Sequence, residues 1–117
     1  LKDVKEAIKL IVDACEDRKA ENCVVLNMEG LTPIADYYVI CHGNNERQVQ
    51  AIARSVKESL EKHNEQIVRM EGFEQARWIL IDLGHIICHI FHKDERFYYN
   101  LERLWGDATE VTIGGNR

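Results

Sequence analysis

Two apolar runs, Trp78-Ile79-Leu80-Ile81-Asp82-Leu83 and Ile86-Ile87-Cys88-His89-Ile90-Phe91, are separated only by Gly84-His85. A two-residue connection containing glycine closes an antiparallel hairpin and leaves no length for a helical crossover. The chain is therefore committed to a sheet here, and its other segments must cover that sheet or extend it. A lone hairpin is only marginally stable in water, so further strands and packed helices are required.

The flanking segments supply them. Leu1 to about Arg18 carries Val4, Ile8, Ile11, Val12 and Cys15 at helical spacing, with Lys2, Lys5, Lys9, Asp13 and Glu16 on the other side. Cys23-Val24-Val25-Leu26-Asn27-Met28-Glu29 and Asp36-Tyr37-Tyr38-Val39-Ile40-Cys41 read as strands around a turn that holds the single proline, Pro33. Asn45 with Gln48 three residues on resembles a capping box, and Val49, Ile52, Ala53, Val56 and Leu60 make a second helical stripe ending near His63-Asn64. Gln66 to Glu71 reads as a short third strand closed by Gly72. The last helix is expected from an Asp94 cap to Trp105, burying Phe97, Leu101 and Leu104 and stopping at Gly106.

The order is α-β-β-α-β-β-β-α: a mixed α/β fold, with a five-stranded mixed sheet and helices packed on it. If strands two and three are parallel, helix two joins them in a right-handed crossover. One domain is expected over residues 1–106, and 107–117 reads as a flexible tail without pattern.

Composition sets the outer limits. With 117 residues, 45 % hydrophobic and 30 % charged, the chain has the make-up of one folded domain. A net charge of −5 argues against a broad basic face, hence against sequence-specific nucleic acid as a direct partner. No apolar stretch approaches the ~20 residues that cross a bilayer, so no membrane partner is expected. The start of the chain, Leu1-Lys2-Asp3-Val4-Lys5, alternates charge with apolar residues, unlike a secretory leader. Cys15, Cys23, Cys41 and Cys88 form no CxxC pair and sit among apolar neighbours. They read as small buried hydrophobes in a reducing compartment, which makes a cytoplasmic location the expectation.

Charge is unevenly placed. Cys23 to Asn44 holds Glu29 and Asp36 with no Lys or Arg, and Trp78 to His92 holds Asp82 with none. The sheet is therefore expected to carry unbalanced carboxylates. Strand alternation puts Trp78, Leu80 and Asp82 on one side and Ile79, Ile81 and Leu83 on the other, the core side. Two readings stand for the first row. Either it is an aromatic, acidic contact patch for a basic protein partner, or Trp78 packs under a helix while Asp82 caps or pairs locally.

Enzyme chemistry finds little to use. His85, Cys88, His89 and His92 are close in sequence, yet His89 and His92 face opposite sides. His85 and His89 lie about 13 Å apart along a strand, so a metal cage would need Cys41 or His42 as well. The Cys41-His42 and Cys88-His89 pairs diverge on their strands, which leaves no nucleophile–base pair. Gly43 before a helix is a weak anion cradle without further glycines. Two-metal nucleotidyl transfer wants two carboxylates on one strand face, and neither Asp82 nor Asp36 has that partner. No enzyme activity and no cofactor or metal are expected. The rival is a nucleotide- or metal-dependent enzyme.

Two stretches resemble the ribosomal silencing factor family, also called RsfS or Iojap-like. The first is Ala35-Asp36-Tyr37-Tyr38-Val39-Ile40-Cys41, Gly43 and Arg47-Gln48-Val49-Gln50-Ala51-Ile52-Ala53. The second is Glu71-Gly72, then Trp78 to Gly84, then His89-Ile90-Phe91, and then Arg96 to Trp105. The resemblance implies a nucleotidyltransferase-like fold without its catalytic acids. It implies a translational repressor that binds the large ribosomal subunit through its protein number fourteen and sterically blocks joining of the small subunit when nutrients are scarce. On matching positions, the implied contact residues are Trp78, Leu80, Asp82 and Leu83. Off the ribosome, a homodimer through the sheet edge is a third expectation. The family's Thr-Gly-Thr-Ser is His42-Gly43-Asn44-Asn45 here, its first-strand acid is Asn27, and the residue after Asp-Leu-Gly, often Asp, is His85.

Overall fold

The computed structural model describes residues 3–99 and 106–111, with side chains through 96 and in 106–111. Helix α1 spans Val4–Asp17, strand β1 Glu21–Asn27, β2 Tyr37–Gly43, helix α2 Glu46–Lys62, β3 Arg69–Glu71, β4 Trp78–Asp82, β5 Ile86–His92, helix α3 Lys93–Tyr99 and β6 Thr109–Glu110. The sheet runs β3-β4-β5-β2-β1-β6. Among the described strands β2 and β5 pair in parallel, and the other four pairings are antiparallel.

Among the described residues the expected five strands are six. Thr109 and Glu110 pair with Asn27 and Leu26, and the Val111 N–H donates to the Val25 carbonyl, all within the segment expected to trail away as a tail. Two residues are too few to display a strand period, which is why the sequence shows nothing there. Strands β2 and β3 do run in the same direction, but β4 and β5 lie between them, so α2 passes over two intervening strands.

Each helix starts at a side-chain cap. Asp3 accepts from the Lys5 N–H, and Asn45 accepts from the Gln48 N–H at 2.9 Å. Gln48 answers by accepting the Asn44 N–H at 2.7 Å, and its amide donates to the Arg18 and Lys19 carbonyls, tying the start of α2 to the end of α1. At α3 the expected cap moves back two residues. The helix opens at Lys93, and the His92 ring accepts the Asp94 N–H at 3.1 Å. Imidazole does here what a carboxylate was expected to do. Leu101 and Leu104, and the side chain of Phe97, lie outside the described residues.

Helices α1 and α2 cover one face of the sheet. Ile8, Ile11 and Val12 of α1 and Ile52, Val56 and Leu60 of α2 meet Val39, Cys41, Ile79, Ile81, Cys88 and Ile90 with almost no exposure. All seven residues of β5 are buried, as expected of a central strand sheltered on both faces. The second face carries a smaller apolar cluster of Leu26, Met28, Tyr38, Ile40, Ile87 and Phe91, with Trp78 and Leu80 packed at its margin.

Candidate partner-binding surface

Strand β4 alternates as its sequence does. Ile79 and Ile81 are fully buried toward the helices, while Trp78, Leu80 and Asp82 are partly exposed on the other side. Leu83 is 7 % exposed and belongs to the helix-covered core. Three of the four candidate contact residues thus share one row, and Leu83 backs it from the opposite face.

The row is held at both ends. Gly84 takes φ +98° at the first position of the two-residue turn, where residues other than glycine are strained. One Asp82 oxygen accepts the Gly84 N–H at 2.7 Å. At the other end, Arg77 donates to Glu46 at 2.9 Å and to Glu95 at 2.7 Å, bridging α2 and α3 just before Trp78. The loop into Trp78 is packed so closely that a Cβ on Gly72 (φ +82°) would lie 2.2 Å from the Trp78 carbonyl oxygen.

The expected excess of carboxylate is corrected by register. β3 pairs Arg69 with Asp82 and Glu71 with Leu80. The Arg69 guanidinium donates to the second Asp82 oxygen at 3.2 Å and also pairs with Glu71. The Asp82 bond, then the Glu71 charge, hold that guanidinium above its usual range. Asp82 thus caps the turn and pairs with Arg69. What remains open is apolar: Trp78 and Leu80, with Glu71 and Gly72, line a shallow cavity of about 300 Å³. The Trp78 indole packs on Phe91 with ring centroids 4.9 Å apart and donates to His89 Nδ1 at 3.1 Å.

A second cavity of about 640 Å³ lies where the start of α1, the end of α2 and the β4–β5 turn meet; Leu83 and His85 line it, apart from Trp78. Of the other departures from the family pattern, Asn45 caps α2, Asn44 donates to Glu21 and Asn27 accepts the Glu29 N–H. His42 is buried beside Arg96 at 3.2 Å. Among the described residues no three of His, Cys, Asp or Glu are arranged to share a metal ion. None of the described helices is long and apolar enough to cross a membrane. Arg69, Glu71, Gly72 and His89 join the site without having been singled out for it. Each enters through cross-strand pairing or close approach, which a linear pattern does not display.

Fold and surface together define a small mixed-sheet α/β domain with a partly exposed row of Trp78, Leu80 and Asp82 on one face of the sheet. The chain belongs to the family described as "Ribosomal silencing factor during starvation", whose model matches residues 1–117. The ribosomal silencing factor RsfS of Bacillus subtilis is 54 % identical over 97 % of this chain and 98 % of its own. A crystal structure from Bacillus halodurans superposes with TM-score 0.82 at 52 % identity, covering 92 % of this chain and 98 % of that one. A more distant relative, the mouse "Mitochondrial assembly of ribosomal large subunit protein 1", is 25 % identical over 84 % of this chain and 44 % of its own length.

Proposed function

We propose that this protein represses translation by binding the large ribosomal subunit through its protein number fourteen, where its bulk blocks joining of the small subunit. Family membership supports the link to ribosome silencing, and the name of the mouse relative points to the large subunit. The observation that carries the reading is the Trp78–Leu80 row bordering an open apolar cavity at the margin of a sheet face that α1 and α2 leave free. A partly exposed indole flanked by a leucine is the kind of anchor on which interfaces concentrate their affinity. Trp78 and Leu80 make the contact in this reading. Asp82 shapes the end of the row, and Leu83 supports it from behind.

Co-sedimentation with isolated large subunits tests it. Trp78→Ala should weaken binding by about 2 kcal/mol or more, a loss of about thirtyfold. Circular dichroism at the assay temperature checks that the variant is folded. Unchanged co-sedimentation of both Trp78→Ala and Leu80→Ala would refute this surface.

A further inference from the structure

One polar ring sits among the apolar side chains of the second face. His89, in the middle of β5, is 4 % exposed. Tyr38 meets it edge-on at 4.5 Å between centroids, Trp78 lies at 5.9 Å, and Phe91 lies near-parallel at 6.3 Å. Its Nδ1 stands 3.1 Å from the Trp78 indole nitrogen. Indole N–H can only donate, so Nδ1 is the bare nitrogen and the ring proton is on Nε2. That Nε2 is buried and has no hydrogen-bond partner among the described residues. A leucine or phenylalanine here would leave no ring N–H without an acceptor. What those residues could not supply is the acceptor at Nδ1.

We propose that His89 is a positioning residue for partner binding: its Nδ1 pins the Trp78 indole against Phe91, fixing the ring in the pose presented beside Leu80 at the open cavity. This rests on Trp78 being a contact residue. A tethered indole has already lost the freedom that a loose one must give up on docking. His89 contributes from beneath, without touching the partner.

Two variants separate positioning from packing. His89→Leu removes the acceptor and the orphaned N–H together. His89→Asn restores an acceptor, Oδ1, close to where Nδ1 stood. At neutral pH, His89→Leu should unfold in urea at or above the wild-type midpoint yet bind large subunits about three- to tenfold more weakly. His89→Asn should recover most of that affinity. Long-range ¹H–¹⁵N spectra of the unaltered protein should show His89 neutral and protonated on Nε2, a readout that needs no variant to fold. Wild-type affinity in His89→Leu while Trp78→Ala loses binding would overturn the role of His89 and leave the surface standing. Unchanged binding in Trp78→Ala would overturn the surface itself. A proton found on Nδ1, or a His89→Asn protein as weak as His89→Leu, would also overturn the proposal.

Discussion

Acidification should weaken the fold through His89, and the size of the effect follows from its environment. Burial pulls the imidazole down to about 4, from 6.5 in an open chain. The unfolded chain therefore takes up the proton first. Stability is full above pH 6.5, falls as pH drops toward 4, and levels off below that, where both states are protonated. The whole gap corresponds to about 3 kcal/mol, of which about 2.5 kcal/mol is reached by pH 4.5. Protonation also abolishes the Trp78 bond, because both ring nitrogens then donate. Urea unfolding of the wild type and His89→Leu at pH 7.5, 6.5, 5.5 and 4.5, followed by circular dichroism, isolates the residue, since other titrations are common to both proteins. The leucine variant should gain on the wild type by about 2.5 kcal/mol across that range. A difference that stays flat with pH would refute the argument, and with it the buried neutral state of His89.

Two further outcomes follow from the packing. Gly72→Ala should cost about 2–4 kcal/mol in urea unfolding, because φ +82° is strained for alanine and its methyl would strike the Trp78 carbonyl; by displacing the start of β4 it should also weaken co-sedimentation. Contact with neighbouring thiols together with burial pushes Cys15 and Cys41 well above the ordinary 9.0, and Cys88 is raised and buried too. An aromatic disulfide reagent should therefore titrate at most one thiol rapidly in the native protein, the partly exposed Cys23, and all four in denaturant.

The sequence was most legible where one face of an element is sealed and the other is not. On β4 the alternation of Trp78, Leu80 and Asp82 against Ile79 and Ile81 reads directly as burial, because α1 and α2 cover only one side. Strand β5 defeats the same method. Both of its faces are sheltered, so nothing in the run Ile86 to His92 shows that His89 looks toward Trp78 and Cys88 toward the helices. His85, Cys88, His89 and His92 lie close together in the sequence, yet among the described residues no three of His, Cys, Asp or Glu are arranged to share a metal ion. Register was the other blind spot. Arg69 lies thirteen positions before Asp82, and only the pairing of β3 with β4 reveals that this arginine neutralises the carboxylate. The α3 cap was misplaced because an aspartate at 94 advertises itself more loudly than a histidine at 92, yet His92 is held where the strand ends.

The parallel pairing of β2 with β5 has a consequence for how the protein comes into being. Tyr37 sits beside Ile86, so the most sheltered strands are joined only after almost fifty intervening residues have been made. Until then β2, with Tyr37, Tyr38, Val39, Ile40 and Cys41 in a row, presents a bare ladder along one side, the template on which aggregates grow. A chain that stalls before residue 86 can pair β2 with β1 and cover one face with α1 and α2, but the edge that β5 will take stays open. What shields that edge in the interval bears on how much of the protein reaches the folded state.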